Sequence, residues 1–235
     1  MIRRLPLHLL LAGWAALLPS APAGGADLEA GRAVVVGGEE AAITPCFMCH
    51  GLDGVGDSAG AFPRLTGQAA FYLYKQLVDY ASGARPNVVM SRVAREMSER
   101  QMADVAFYYS VLEAAHAPAP VVAPEVLARG RALAEDGRPA AGVTACNLCH
   151  GRDGAGDPPL FPYLAGQYAP YTELQLQLWQ QDERRNDALD VMREIAKALS
   201  AEDIDAVALY YETLRPGERE VGAKIGARAP RPSDG

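Results

Sequence analysis

All four cysteines of this 235-residue chain lie in two copies of one short pattern, C-x-x-C-H. The first copy reads CFMCH and the second CNLCH. In each copy two thiols lie about one helical turn apart, and an imidazole follows the second thiol directly. This arrangement suits covalent attachment of a haem, with two thioether bonds to its vinyl groups and the histidine on its iron. The residues concerned are Cys46, Cys49, His50, Cys146, Cys149 and His150.

Cysteines in this number have other uses. Four cysteines of an exported protein would ordinarily pair as two disulfides. A zinc site assembled from the four thiols would leave both histidines without a role. A redox dithiol is typical of a βαβ context, and the chain has no such strand pattern. The doubled attachment pattern favours haem over these three alternatives.

The rest of the chain repeats together with the motif, as a tandem duplication requires. AFPRLTGQAAFYLYKQL, from Ala61, matches LFPYLAGQYAPYTELQL, from Leu160. Further on, MSRVAREMSERQMADVAFYYSVL, from Met90, matches MREIAKALSAEDIDAVALYYETL, from Met192. The second copy is about three residues longer just before Met192. The duplication predicts two similar domains.

A six-coordinate haem needs a ligand opposite the histidine, and methionine is a frequent one. After the second attachment motif the only methionine is Met192, which makes it the candidate there. The first copy has four methionines, and the repeat selects Met90 because it aligns with Met192. Met97 and Met102 align with aliphatic residues, so we predict that they belong to the core.

Each copy has the pattern of a small helical domain. Ser98 and Ser200 have the features of N-caps that open amphipathic helices. Another helix is predicted over residues 68–82, ending at Gly83, and its counterpart starts near Gln167. Segments rich in Gly, Pro and Asp follow both histidines and are predicted to be loops. No alternating strand pattern competes, so we predict an all-α protein.

Haem-ligating histidines usually donate their other N–H to a fixed acceptor. Pro63 lies 13 residues after His50, and Pro162 lies 12 residues after His150. We expect the carbonyl of each proline to accept that hydrogen bond. Candidates for contacts to the haem propionates are Arg64, Arg85 and Trp179.

The N-terminus has the features of a secretory signal peptide over residues 1–26. Arg3 and Arg4 precede an apolar run, and cleavage is expected near Ala23 or Ala26. The run is shorter than the roughly 20 residues that a spanning helix needs. Without the leader the chain would carry 20 basic and 29 acidic residues, a formal charge of −9. Nucleic acid is therefore an unfavourable partner, and we expect a periplasmic protein that is at most peripheral to the membrane.

These features predict the domain organisation. The first domain would cover residues 27–115 and the second residues 125–215. Between them, residues 116–124 form a proline-rich linker, in which we predict that His116 is an exposed surface residue. A polar tail, residues 216–235, lies outside the repeat.

Together these motifs resemble the dihaem cytochrome c4 family. The resemblance rests on the duplicated C-x-x-C-H, a G-x-G-D after each, F-P-x-L-x-G-Q, Y-x-x-x-Q-L, and a methionine ahead of an S-x-x-x-(M/I)-x-x-x-A-x-Y-Y helix. It covers the chain from about Gly31 to Leu214. It implies two tandem class I cytochrome c domains, each wrapped around a covalently attached haem c. The implied axial pairs are His50 with Met90 and His150 with Met192.

The resemblance also implies a function, an electron carrier between a quinol-oxidising complex and a terminal oxidase. With both axial positions filled, outer-sphere transfer through an exposed haem edge is the expected chemistry. One alternative is a dihaem cytochrome subunit of a larger dehydrogenase, such as a sulfide-oxidising flavocytochrome. Another is a dihaem enzyme with an open haem site. A thiosulfate-oxidising dihaem enzyme with a cysteine ligand is disfavoured, because the chain has no spare cysteine. The sequence alone leaves free carrier and bound subunit open.

Overall fold

Helices make up the regular structure of residues 25–38 and 43–215, which the computed structural model describes. The only strand-like pairings within these residues are three isolated β-bridges. The all-α prediction is therefore confirmed. The tail and nearly all of the expected signal peptide lie outside the described residues.

Two sets of helices follow one another along the described chain. The first set comprises α1 (Leu28–Val35), α2 (Phe47–His50), α3 (Ala70–Ser82), α4 (Met90–Arg95) and α5 (Glu99–Val111). The second set comprises α6 (Pro124–Glu135), α7 (Asn147–His150), α8 (Ala169–Gln180), α9 (Val191–Lys197) and α10 (Ala201–Thr213). Short 3-10 turns cover Pro139–Ala141, Arg152–Gly154 and Ala188–Asp190. The duplication in the sequence is thus a duplication of five helices.

Local signals fix where the longer helices begin and end. Ser98 and Ser200 each accept a hydrogen bond from the amide three residues on, at 3.2 Å, and complete a capping box. Helix α3 ends at a left-handed Gly83 (φ 84°), as predicted, because glycine adopts this conformation without steric cost. The start of α3 is Ala70 rather than Gln68.

Helices α1 and α6, which were not predicted from the sequence, pack across α5 and α10 respectively. Both crossings depend on a glycine. A Cβ at Gly31 would lie 2.3 Å from the Asp104 carbonyl oxygen, and one at Gly130 would lie 2.2 Å from that of Ala206. Only a residue without a side chain lets these backbones approach so closely.

Each half has its own apolar core. The first contains Val35, Leu73, Met97, Met102, Val105 and Tyr109. The second contains Leu133, Val143, Leu176, Leu199, Ile204 and Tyr211. Met97 and Met102 are only 7% and 4% exposed, which confirms the prediction that they are core residues.

The segment between the two sets, residues 112–123, contains no helix and is held by side chains from both halves. The Arg64 guanidinium donates to the carbonyls of Ala114 and Ala115, at 2.6 and 3.1 Å. His116 is half-buried, with Nε2 3.4 Å from the Tyr163 hydroxyl. The prediction of an exposed His116 was wrong, because the segment folds back against the second half. Within the described residues, no helix has the length and hydropathy to cross a membrane.

Candidate haem sites

Each C-x-x-C-H pattern forms a single turn of helix, α2 or α7. In the first, the His50 amide donates to the Cys46 carbonyl at 3.0 Å, which places the second cysteine and the histidine one turn beyond the first cysteine. All four cysteines are free thiols, so the structure does not support the disulfide alternative. Burial raises the pKa of Cys46 to about 11, which disfavours the thiolate that a redox dithiol needs.

The histidine that ends each turn is buried and oriented by a proline carbonyl. His50 Nδ1 lies 3.1 Å from the Pro63 oxygen, and His150 Nδ1 lies 3.0 Å from the Pro162 oxygen. The predicted hydrogen bonds are therefore confirmed. Because a carbonyl only accepts, Nδ1 carries the proton and Nε2 is the nitrogen that can bind iron. Burial also lowers the pKa of both histidines, which favours the neutral, ligating form.

The loop after each histidine folds back under its ring. The Gly56 amide donates to the His50 carbonyl at 2.9 Å, and Phe62 contacts the ring edge-on with centroids 6.3 Å apart. The second half repeats both contacts through Gly156, at 2.6 Å, and Phe161, at 6.2 Å. These contacts restrict the orientation of the histidine ring in both halves.

Tyrosines of the last helix in each half tie it to the attachment turn. The Tyr109 hydroxyl donates to the Gly51 carbonyl at 3.1 Å, and the Tyr211 hydroxyl donates to Asn147 Oδ1 at 2.8 Å. A Cβ at Gly54 would lie 2.5 Å from the Tyr109 ring, so the loop needs glycine there. The last helix therefore positions the histidine as well as filling the core.

The two candidate methionine ligands occupy the same place in both halves. Met90 begins α4, and its amide donates to Asn87 Oδ1 at 2.8 Å. The Met192 amide, at the start of α9, donates to Asp187 Oδ2 at 2.7 Å. The lengthened segment of the second copy contains the 3-10 turn Ala188–Asp190, which lies between Asp187 and Met192. A carboxamide or carboxylate thus anchors each methionine segment.

Each half brings its methionine and its first cysteine onto one core. Cys46 and Met90 are both partly buried against the first core. Cys146 and Met192 have the same relation to the second. The first cysteine and the methionine of each half, together with the buried histidine that follows the second cysteine, are the residues that would hold a covalently attached haem. The donor set is the one that haem c takes.

Two arginines are buried side by side where the halves meet. Arg85 and Arg184 are each 4% exposed. Arg85 donates to Gln76 Oε1 at 2.8 Å and to Gln175 Oε1, in the other half, at 2.5 Å. Arg184 donates to Gln175 Oε1 at 2.8 Å and to Gln76 Oε1 at 3.2 Å. No ion pair within the described residues joins either arginine to a carboxylate, although buried charges are normally paired.

An aromatic ring lies under each of these guanidinium groups. The Arg85 guanidinium carbon is 4.6 Å from the Tyr80 ring centroid, and that of Arg184 is 4.0 Å from the Trp179 ring centroid. Trp179 Nε1 is buried and has no hydrogen-bond partner among the residues that the structure describes. Two buried cations and an orphaned N–H donor form an environment suited to anionic haem propionates.

The three residues predicted from the sequence to contact the haem propionates do not lie together in the structure. Arg85 and Trp179 lie in this cluster, whereas the guanidinium of Arg64 donates to the carbonyls of Ala114 and Ala115. Sequence reasoning missed Arg184. The signal was present, because Arg184 follows Arg85 by the spacing that separates Gln68 from Gln167.

Two buried, proline-tethered histidines, each next to two free cysteines in an all-α domain, define a tandem class I cytochrome c. No group of three or more His, Cys, Asp or Glu side chains in the described chain is placed to hold a metal ion directly. The four thiols are therefore not arranged as a zinc site.

Comparisons with known proteins agree with this class. No family model matches the chain. The chain is 40% identical, over 225 residues, to the thiosulfate dehydrogenase electron acceptor of Stutzerimonas stutzeri, covering 92% of this chain and 98% of the relative. The crystal structure of reduced cytochrome c4 from Pseudomonas stutzeri superposes with a TM-score of 0.72 at 33% identity, over 81% of this chain and all of that one. A thiosulfate dehydrogenase (TsdBA) from Marichromatium purpuratum superposes with a TM-score of 0.75 at 37% identity, over 80% of this chain but only 40% of that one.

The chain belongs to the dihaem cytochrome c4 family. It accordingly binds two covalent haem c groups, at the cysteine pairs of the two halves.

Proposed function

We propose that the chain is a periplasmic dihaem electron carrier with two closed haem sites. His50 with Met90 and His150 with Met192 would hold the two haems, in domains bounded at residues 27–115 and 125–215. The observation that carries the proposal is duplicated: each half has a buried histidine held by a proline carbonyl, and a core against which its first cysteine and its methionine pack.

When bound, each haem supplies a one-electron couple. The residues of the chain determine how that couple behaves. The proline carbonyl fixes the histidine and raises its basicity, and a methionine ligand would favour a high reduction potential. Arg85 and Arg184 would hold the propionates by charge-assisted hydrogen bonds from a buried position. Held by His50 with Met90 and by His150 with Met192, the haems would have no open position for a small ligand, so the chain would transfer electrons without catalysing chemistry at iron.

The donor that we propose is a thiosulfate dehydrogenase. Support comes from the 40% identity to the electron acceptor of such an enzyme along 98% of that relative's length. A second candidate, transfer from a quinol-oxidising complex to a terminal oxidase, is supported by the similarity to a cytochrome c4 structure. Both candidates share the same haem sites and differ in which protein docks.

Methionine ligation is tested with carbon monoxide on the reduced holoprotein, matured in a periplasmic expression host. The wild type should contain two c-type haems by pyridine haemochrome assay and should not bind carbon monoxide. Met90→Ala and Met192→Ala should each open one haem to it. The control is Met97→Ala, a core substitution that should lower stability without opening a site. Carbon monoxide binding by the wild type would refute the closed-carrier proposal.

The donor is tested by stopped-flow reduction. The oxidised protein is mixed with a purified thiosulfate dehydrogenase plus thiosulfate, or with a quinol-oxidising complex plus quinol. Fast, saturable reduction by the first system only is expected. Reduction by the second system only would reject the thiosulfate assignment and leave the haem sites unaffected.

A further inference from the structure

Two buried glutamines cross the boundary between the halves. The Gln68 side chain accepts from the Tyr163 amide at 2.9 Å and donates to the Tyr163 carbonyl at 3.0 Å. The Gln167 side chain makes the same two bonds with Arg64, both at 3.0 Å. Exposure is 6% for Gln68 and 7% for Gln167. Each glutamine therefore makes a two-bond, water-shielded contact with the backbone of the opposite half.

The contacted residue directly follows the proline that holds the histidine. The Pro162 carbonyl accepts from His150 Nδ1, and the Tyr163 amide, which belongs to the same peptide group, donates to Gln68. An unbroken series of hydrogen bonds thus runs from a side chain of the first half, through one peptide group, to the histidine of the second.

The opposite series has the same form. The Pro63 carbonyl accepts from His50 Nδ1, and the Arg64 amide of that peptide group donates to Gln167. Each glutamine side chain also accepts a hydrogen bond from the amide of the residue that follows it. Gln68 accepts from Ala69 at 3.3 Å and Gln167 from Tyr168 at 3.1 Å, which fixes the orientation of both side chains. The two series are related by the pseudo-symmetry of the duplication and cross between the halves.

A peptide group whose N–H is hydrogen-bonded is a stronger acceptor at its carbonyl, because bonds in such series polarise one another. A stronger acceptor at Nδ1 makes the histidine a more basic ligand. A more basic ligand favours the ferric over the ferrous state and so lowers the reduction potential. The glutamine of one half therefore acts on the iron of the other half through a series of hydrogen-bonded groups: its own side chain, the peptide group after the proline, and the histidine ring.

We propose that Gln68 is a positioning residue for His150, and Gln167 for His50, so that each domain tunes the haem of its partner. The proposal rests on the proposed function in one respect, that both histidines ligate haem iron. Docking of the two domains becomes part of what determines each potential.

The test uses full-length holoprotein with Gln68→Leu or Gln167→Leu. Leucine conserves most of the volume and excludes water, so the amide in the opposite half loses its acceptor. Gln68→Ala is the second variant, in which water replaces part of the bond and a smaller effect in the same direction is expected. The control is Lys75→Ala, because Lys75 Nζ donates across the boundary to the Asn186 carbonyl at 2.9 Å and contacts neither proline segment.

Two measurements are made for each haem separately. Spectroelectrochemical titration gives the two potentials, and NMR of the reduced protein gives the hydrogen exchange rate of each histidine Nδ1–H, assigned by domain. Gln68→Leu should raise the potential of the His150 haem by roughly a two- to tenfold change in its reduced-to-oxidised ratio, where tenfold corresponds to about 59 mV. Exchange at His150 Nδ1–H should become faster while His50 is unchanged, and Gln167→Leu should reverse the pattern.

The crossed pattern is the decisive outcome. Shifts at the haem of the substituted domain, equal shifts at both haems, or shifts as large in Lys75→Ala would overturn the proposal. A crossed response in both leucine variants and none in the control would support it. If the wild type lacks two histidine-ligated haems, the proposed function fails as well, and that failure is visible before any variant is made.

Discussion

The crossing of α1 over α5 yields a prediction whose size follows from one distance. Replacing Gly31 with alanine would place a Cβ 2.3 Å from the Asp104 carbonyl oxygen, where ordinary contacts begin at 3.4 Å. The helices must therefore separate by about 1 Å. Both contacting groups are fixed, because the second, Tyr108 Cβ at 2.9 Å, is also attached directly to backbone.

The expected loss combines two opposing effects. Overpacking of this kind costs about 3 kcal/mol when backbone rather than a side chain must move. Alanine recovers about 1 kcal/mol because it is a better helix former than glycine. A net loss of about 2 kcal/mol corresponds to a fall in Tm of roughly 8–16 °C for a domain of this size.

Thermal unfolding of the holoprotein, followed by far-UV circular dichroism, measures this loss. Gly130→Ala should repeat it in the second half, where the contact is 2.2 Å. Arg32→Ala is the control, because Arg32 is exposed on the same helix, Leu28–Val35, and its side chain is not part of the crossing. A Gly31→Ala protein with stability within about 0.5 kcal/mol of wild type would show that the crossing relaxes easily and would refute the reasoning.

Two further predictions concern charge. Burial, followed by the charges of Arg64 and Arg215, lowers the pKa of His116 from 6.5 to about 4. As the pH falls through that window the unfolded chain binds a proton that the folded chain does not, so stability decreases. Between pH 7 and 5, the wild type should lose about 1 kcal/mol more than His116→Gln in guanidinium titrations, after allowance for partial exposure; parallel curves would contradict this. Asp203 is fully buried between Arg129 and Arg138, so Asp203→Asn should cost about 2 kcal/mol, while exposed Asp205→Asn on the same helix should be neutral.

The sequence predicted those parts of the fold that depend on short-range signals. The caps at Ser98 and Ser200, the end of α3 at Gly83 and the proline carbonyls are all set within a few residues or by the repeat. Helices α1 and α6 were not predicted because their positions depend on close packing of a glycine against the backbone of a helix that is distant in the sequence. No local pattern marks that requirement.

The site was predictable to the extent that it is duplicated. Alignment of the halves selected Met90 and would have selected Arg184 had the same comparison been applied to it. The contacts that cross between halves were not predictable. Gln68 is repeated as Gln167, but nothing in the sequence indicates that its side chain bonds to the backbone of Tyr163 in the other half rather than to a group in its own half.

The anchored segment 112–123 explains how a largely polar interface can hold the halves together. Hydrogen bonds from a few glutamines and arginines would bind two free proteins only weakly, because each bond replaces one to water. A short covalent connection, fixed further by Arg215 donation to the Ala117 carbonyl at 2.6 Å, gives each half a local concentration in the millimolar range near the other. Docking is then independent of dilution, and the pair stays assembled however sparsely the molecule is distributed in its compartment.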